Sequence, residues 1–341
     1  MLGFLFYGRY RIIGNGLNST RLKFFKEKQL HKISLSNISQ TKSRSKLIVT
    51  LICALTFACT TSFAEEKKSD VSQEKTQKSA NKAPPINKPI ELTKQHKEDL
   101  KHYLADEQVK PLLAGPDDYL TLVKRYTSAN SKGVVILLPE WQQGATNPKA
   151  INYLRNALPA KGWSTIAIQP SNKPENYPST AITVEEQKKA NQLVLKEYKS
   201  KLNSMLNAVM NTARKYPGIV LVIAQGNNAA LLVDIYSQDN SQQPNALIML
   251  SSYRQSNHAL INSINEKFAH QVASSELPIL DLYLKHDNPL VLSKAAQRKA
   301  FSKQEMKVYY RQRQLNNSVT GYYPEEELLS QINSWLKAIG W

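Results

Sequence analysis

One stretch of the sequence has the layout that presents a reactive side chain. Residues 220–236, VLVIAQGNNAALLVDIY, indicate a buried strand, a short polar turn and an apolar helix. Serine hydrolases place their nucleophile at such a turn, usually within Gly-x-Ser-x-Gly. Here that position belongs to Gly226, or to Asn227 if the register shifts by one residue, and neither can attack a carbonyl group. Since glycine tolerates the strained backbone of this turn, we expect the turn to be kept without its reactive atom.

The polar residues of this turn have two interpretations. Gln225, Gly226 and Asn227 can offer hydrogen bonds to a ligand from the rim of a cleft, and we predict them as ligand-binding residues. Alternatively, the amide side chains simply pair with the backbone of the turn.

A catalytic triad also needs an acid and a histidine from later loops. Asp287 follows the apolar run LPILDLYL, where the acid is expected, although it could instead cap a helix that begins near Pro289. The six histidines are His31, His96, His102, His258, His270 and His286. None follows Val308, so the chain offers no histidine after the last predicted strand. The proton acceptor of Ser-His-Asp chemistry is therefore missing.

Two weaker catalytic candidates remain. Glu140 and Trp141 follow the apolar run GVVILLP, where hydrolases form part of the oxyanion hole. Glu140 could act as a general base or bind a cation, and Trp141 could contact a ligand or pack in the core. Ser252, with His258 a short loop away, is a conceivable displaced dyad. No phosphate-binding, dinucleotide-binding or metal-binding motif is evident, so no cofactor and no metal are implied.

The elements that would position these residues alternate along the chain. Apolar runs of four to seven residues are separated by helical patterns from residue 92 to the end, which is typical of a parallel sheet buried on both faces. Two strands around Gly115 come first and suggest an antiparallel pair. We therefore predict an α/β-hydrolase fold: a mostly parallel sheet with an N-terminal antiparallel pair and helices on both faces. This domain is predicted to span 91–341.

The front of the chain has a different composition. Residues 1–64 hold ten Lys and Arg and one acidic residue, so they carry +9 of the net charge of +18. No stripe of basic and aromatic residues lies in the predicted domain, which argues against nucleic-acid binding. Residues 65–90 are rich in Lys, Ser, Gln and Pro and are predicted to form a disordered linker.

A secretory signal is predicted within 42–64. Basic residues precede the apolar run LIVTLICALTFACTTSFA, which suggests cleavage after Ala64. An uncleaved membrane anchor or lipidation at Cys59 are the alternatives. Both cysteines, Cys53 and Cys59, fall in this segment, so a processed chain would have none. Export and cysteine usage together predict a periplasmic protein, and the long leader suggests that translation starts between Leu35 and Lys46 rather than at Met1.

Several stretches resemble one known family. LLAGPDDYLTLVKRY, GVVILLPEWQQGATNPKAINYLRNALPAKGWSTIAIQP, LPILDLYL and INSWLKAIGW are similar to domain-of-unknown-function family 3530, exported α/β-hydrolase-like proteins of gammaproteobacteria. The most specific part is the succession Arg155, Leu158 and Gly162-Trp163. The resemblance implies the fold and carries no established reaction.

Three functional hypotheses follow. The first is an exported protein without a working triad, which binds a small molecule or a periplasmic protein in the former active-site cleft. The second is an ester hydrolase that uses Glu140, or Ser252 with His258. The third is a scaffold whose outer surface binds a partner protein.

Overall fold

The computed structural model describes residues 89–341 except residues 107 and 240. The predicted leader and signal (1–64), including Cys59, and all but the last two residues of the predicted linker (65–90) therefore lie outside the described residues. The helices are α1 (Leu92–Tyr103), α2 (Ile151–Ala157), α3 (Val184–Ala213), α4 (Gly226–Tyr236), α5 (Ile261–Ser274), α6 (Pro289–Gln304) and α7 (Glu325–Ala338). The strands are β1 (Val109–Ala114), β2 (Asp117–Lys124), β3 (Gly133–Leu138), β4 (Trp163–Ile168), β5 (Ile219–Gln225), β6 (Ala246–Leu250), β7 (Ile279–Leu284) and β8 (Tyr310–Leu315).

All eight strands form one sheet in the order β1-β2-β4-β3-β5-β6-β7-β8. β2 pairs antiparallel with both β1 and β4, whereas the six strands from β3 to β8 run parallel to one another. Helices connect the parallel strands, as such crossovers require. This order, with an antiparallel pair at one edge, is that of the α/β-hydrolase fold, and the predicted fold class is confirmed.

The core lies on both faces of the sheet. Every residue of β3, β4 and β6 is buried; β3 and β6 are apolar throughout rather than alternating, and β4 contains the buried polar residues Ser164 and Thr165. Val134 and Ile136 pack into one cluster with α3 and α4, and Val135 and Leu137 pack into the other with α2 and α7. None of the described helices has the length and apolar character needed to span a membrane.

The sheet brings the candidate residues to one edge. Because β3 and β5 to β8 are parallel, their carboxyl ends meet there. The loops that follow these strands carry, in chain order, Glu140, Gly226 at the start of α4, Ser251, Asp287 and Tyr323.

Candidate functional site

The turn between β5 and α4 has the geometry of a nucleophile elbow. β5 ends at Gln225, which has an extended backbone, and α4 begins directly at Gly226 with φ +58. A positive φ is strained for any residue with a Cβ, and this is the strain that an elbow imposes on a nucleophile. The strand, turn and helix predicted for 220–236 are present, with Gly226 rather than Asn227 at the strained position.

The space for a nucleophile side chain is occupied by Glu140. A Cβ added to Gly226 would overlap Oε2 of the Glu140 carboxyl group. Glu140 reaches this point from the loop after β3 and is itself only 9% exposed. The glycine at the elbow therefore does more than lack a hydroxyl group, because it makes room for a carboxyl group from a neighbouring loop.

Glu140 also takes the hydrogen bond that a hydrolase gives to its oxyanion. The Asn227 backbone N–H donates to Glu140 Oε2 at 2.5 Å, and the Trp141 N–H donates to Oε1 at 3.3 Å. In this fold the N–H after the nucleophile and an N–H of the loop after the first parallel strand form the oxyanion hole. From the sequence, we expected Glu140 near this hole, as a general base or a cation-binding group. The structure places its carboxyl group in the hole itself.

Burial governs the protonation of Glu140. Desolvation raises the pKa of Glu140 to about 7, and hydrogen bonds from Asn227 and Trp141 and the charge of Lys173 oppose the rise. The carboxyl group is thus divided between its neutral and charged forms near neutral pH.

Trp141 is a packing residue in this structure. It is 4% exposed, and its ring meets Tyr177 and Tyr198 edge-on at centroid distances of 5.7 Å each. Tyr198 in turn donates to Asn228 Oδ1 at 2.9 Å. Of the two interpretations that the sequence allowed for Trp141, the structure favours the core.

The amide side chains of the turn are buried as well. Asn227 is 1% exposed, and its Oδ1 accepts from the Gln255 backbone N–H at 2.7 Å, so it fixes the loop after β6. Gln225 is 6% exposed, and its Oε1 has no hydrogen-bond partner among the described residues. The residues predicted to bind a ligand thus come together with Glu140, but within a filled and closed elbow.

The acid position is occupied by Asp287, which has a different partner from the one a triad provides. Its Oδ2 accepts from Ser251 Oγ at 2.5 Å and from the Leu284 N–H at 2.9 Å. The alternative role of Asp287 as a helix cap is wrong, because Asn288 is the N-cap of α6 and accepts from the Leu290 N–H.

The loop after β8 supplies a tyrosine where a hydrolase has its histidine. Tyr323 is 5% exposed, and its hydroxyl group lies 2.5 Å from Ser251 Oγ. Ser251 has a φ of +49, which is uncommon for a residue other than glycine. Ser251, Asp287 and Tyr323 form a hydroxyl–carboxylate network that ties together the ends of β6, β7 and β8. Sequence reasoning missed Ser251 and Tyr323. The feature that marks the network is the positive φ of Ser251, which is visible only in the structure.

Tyr253 is influenced by the charges of both Glu140 and Asp287. Burial raises the pKa of Tyr253 to about 12, and the negative charges of Glu140 and Asp287 add to the rise. Its half-buried phenol group thus lies within electrostatic reach of both carboxyl groups.

Removing the Tyr323 hydroxyl group tests the network. We expect Tyr323→Phe to lower the free energy of unfolding by about 1–2 kcal/mol, because Ser251 loses a buried hydrogen-bond partner. Urea denaturation measures the change, and Tyr322→Phe, at an exposed neighbouring residue, is the control. Equal stability of the two variants would mean that the network contributes nothing.

Ser252 and His258 are not brought together. Ser252 is fully buried and its Oγ has no hydrogen-bond partner among the described residues, whereas His258 is exposed. The proposed dyad therefore lacks its hydrogen bond. His286 is also exposed, and its backbone pairs with the side chain of Asn317. Within the described residues, no group of three or more His, Cys, Asp or Glu side chains could hold a metal ion.

Comparison with known proteins gives a family. A family model described as "Protein of unknown function (DUF3530)" matches residues 48–338. No curated protein matches the chain.

Three solved structures illustrate the likeness. An α/β serine hydrolase homologue from Coxiella burnetii is 12% identical, with a TM-score of 0.45, covering 70% of this chain and 100% of that one. A dienelactone hydrolase from Anabaena variabilis is 10% identical, with a TM-score of 0.47 and coverage of 68% and 98%. An α/β serine hydrolase without a lid from Xanthomonas campestris is 9% identical, with a TM-score of 0.44 and coverage of 69% and 96%.

Proposed function

The chain belongs to the DUF3530 family, and from that premise we propose that it is an exported α/β-hydrolase-like protein that binds a ligand or partner and does not hydrolyse it. The family is described as one of unknown function, so the proposal depends on the residues of this chain.

One observation carries the proposal: the protein's own carboxyl group fills the oxyanion hole. Hydrolysis requires a nucleophile at the elbow and an empty pair of N–H donors for the charge that develops on the substrate oxygen. Here Gly226 supplies no nucleophile, and Glu140 takes the Asn227 N–H. A substrate carbonyl group could reach that donor only after the buried carboxyl group had moved away.

The other triad positions support the same proposal. Asp287 accepts a hydrogen bond from Ser251 and not from an imidazole group. Tyr323 stands in the loop that would carry the histidine, and the burial of its phenol raises its pKa well above the ordinary value. A phenol with a raised pKa stays protonated and is a poor proton acceptor at neutral pH, so Tyr323 is a poor substitute for the histidine.

A second candidate function is ester hydrolysis by Glu140. The observation in its favour is a pKa of about 7, which suits a general base. As a nucleophile, the carboxylate would form an anhydride with the acyl group and expel the alcohol. In either role Glu140 would have to give up its hydrogen bond from the Asn227 N–H. This requirement makes the candidate weaker than the non-catalytic function.

The activity test compares the wild-type chain with two variants. We expect no labelling of the wild type by a fluorophosphonate and no turnover of a panel of short-chain and medium-chain esters, because no activated nucleophile faces an open oxyanion hole. Glu140→Gln removes the candidate base, and Ser251→Ala removes the one serine that is hydrogen-bonded to a carboxylate at this edge in the described structure. Wild-type turnover that Glu140→Gln abolishes would establish the second candidate function. Labelling that Ser251→Ala abolishes would reveal a serine enzyme.

Export is part of the proposal, with a periplasmic location in a gammaproteobacterium. Its support is the basic and apolar segment 42–64 with small residues before Glu65. Mass spectrometry of the protein from its native host should find a chain that begins at Glu65. A chain beginning at acylated Cys59 or an uncleaved chain would mean a lipoprotein or a membrane anchor instead.

A further inference from the structure

A buried arginine lies outside the elbow, on the short helix α2. Arg155 of α2 is 5% exposed, and it donates from Nη1 to Gln108 Oε1 at 3.1 Å and from Nη2 to Asn152 Oδ1 at 3.0 Å. Both acceptors are neutral amide oxygens. Of the residues that the structure describes, none places a carboxylate oxygen within 4.0 Å of this guanidinium group.

Such an arginine is unusual, because a charge taken out of water normally has a partner of opposite charge. Burial alone lowers the pKa of Arg155 from its ordinary value. The two amide groups orient the guanidinium group, but they do not neutralise it. An anion placed next to Arg155 would recover the missing electrostatic energy.

A cavity provides room for that anion. It has a volume of about 520 Å³ and lies between α1, α2 and the loop after β3, with Arg155 and Asn152 in its wall. This volume falls within the range of small-molecule sites. The loop after β3 contributes Gln143, Gly144 and Thr146 to the lining, whereas Glu140 and the elbow residues do not line this cavity.

The floor of the cavity supplies a second donor. Gln169 is 2% exposed, and its Oε1 accepts from the Ala145 backbone N–H at 3.1 Å. This bond fixes the orientation of the amide group, so Nε2 is the atom that donates to His96 Nδ1 at 3.3 Å. A neutral His96 that accepts at Nδ1 carries its proton on Nε2, which leaves an N–H for a ligand.

Part of the wall is apolar. Leu100 and Tyr103 of α1 and Leu104, which follows that helix, line the cavity. A ligand that fits this cavity therefore has a charged end for the guanidinium group and an apolar body for α1. The one carboxylate in the wall, Asp99, is exposed, and it disfavours a ligand with more than one negative charge.

We propose that this cavity binds a carboxylic acid with an apolar tail, with the carboxylate group held by Arg155 and His96 and the tail against α1. A planar guanidinium group matches a carboxylate group in geometry, which makes arginine suited to the role. The inference depends on the proposed function only in that the protein binds a ligand. It places this ligand in a cavity that is not lined by the residues of the former catalytic position.

The test is calorimetric titration of the whole chain with octanoate. Octanamide has the same tail without the charge, and octyl phosphate has the same tail with a larger anionic head. We expect octanoate to bind, octanamide to bind at least about tenfold more weakly, and octyl phosphate to bind no better than octanoate. Octanamide binding as tightly as octanoate would overturn the proposal, and tighter binding of octyl phosphate would overturn the assignment of a carboxylate.

Variants of Arg155 test whether octanoate binds in this cavity. Arg155→Gln and Arg155→Lys should weaken octanoate binding about tenfold or more, because neither side chain can donate two parallel hydrogen bonds from a charged group. Arg214→Gln removes the same charge from an exposed position at the end of α3 and should leave the affinity unchanged. Equal affinities for Arg155→Lys and the wild type would contradict the proposal.

A second pair of variants keeps the test valid if Arg155 is needed for folding. Leu104→Trp adds bulk to the apolar wall, and Leu113→Trp adds the same bulk at a position that is 76% exposed. Only Leu104→Trp should abolish octanoate binding; undiminished binding would exclude this cavity. Neither result depends on ester turnover, so a finding that the protein is a hydrolase would leave the octanoate test intact.

Discussion

Gly226→Ser should destabilise the protein strongly and produce no esterase. The added Cβ overlaps Glu140 Oε2, and overpacking a buried position typically costs about 1–3 kcal/mol. The residue must also hold a φ of +58, which costs a side chain with a Cβ a further 1–2 kcal/mol or so. We therefore expect the free energy of unfolding to fall by about 2–5 kcal/mol in total. Chemical denaturation of the two proteins measures this loss.

Gly115→Ser is the matched control for the part of the loss that comes from the positive φ of the backbone. Gly115 has a φ of +64, close to that of Gly226, but nothing lies within 4 Å of a Cβ added there. The loss at Gly115 should be limited to about 1–2 kcal/mol. The amount by which Gly226→Ser lowers the free energy of unfolding beyond Gly115→Ser is the contribution of the overlap with Glu140.

Glu140→Ala provides the complementary test, because it removes the overlapping group. In a double-mutant cycle, Gly226→Ser and Glu140→Ala should couple favourably, so that the double variant is more stable than the sum of the two single losses predicts by about 1–3 kcal/mol. Additive losses would show that the two positions do not compete for the same space.

The restored serine should remain inactive even in the double variant. An alcohol needs a base to accept its proton, and no histidine follows Val308 in the sequence. Fluorophosphonate labelling of the double variant should therefore stay at the background level of the wild type. Strong labelling would mean that an unrecognised base reaches the elbow.

The fold was predictable because each element has its own local signal. The run GVVILL is apolar throughout and becomes β3, and the hairpin predicted around Gly115 is present, with φ +64 at that glycine. Thr183 and Glu186 form a capping box at the start of α3, a pattern that marks a helix start in the sequence. Parallel strands that are separated by helices are compatible with few topologies, and this restriction is why the fold class could be predicted.

The elbow was predictable only in part. The sequence shows that Gly226 cannot act as a nucleophile, but it cannot show that Glu140 occupies the vacated volume. The two residues are 86 positions apart, and their contact depends on how two loops approach each other over the sheet edge. Periodicity and spacing describe elements and not the space between their loops.

The network around Ser251 was beyond sequence reasoning for the same reason. Ser251 and Tyr323 meet because β6 and β8 flank β7, and each looks like an ordinary loop residue by itself. The loop after β8, where a triad histidine would lie, carries Tyr323 instead, and its hydroxyl group meets Ser251.

Between pH 4 and pH 8, Glu140 should have a large effect on how stability depends on pH. Its pKa rises from the ordinary value of 4.5 to about 7 in the folded state, mainly through desolvation. A folded chain therefore binds more protons than an unfolded one between these two pH values, and stability falls as pH increases. A shift of this size corresponds to about 3 kcal/mol, since each pKa unit is about 1.4 kcal/mol. This stabilisation is fully present below pH 4.5 and is lost as the pH rises through about 7.

Glu140→Gln isolates that effect, because an amide keeps the shape and an acceptor oxygen for the Asn227 N–H but does not titrate. The free energy of unfolding of the wild type, minus that of Glu140→Gln, should decrease by about 3 kcal/mol between pH 4 and pH 8. Other titrating groups are common to both proteins and cancel in this difference. Glu185→Gln, at an exposed position in the first turn of α3, should show no comparable dependence on pH. If the difference for Glu140→Gln stayed constant across this range, the carboxyl group would not be held in a dry oxyanion hole, and the observation that carries the proposed function would fail.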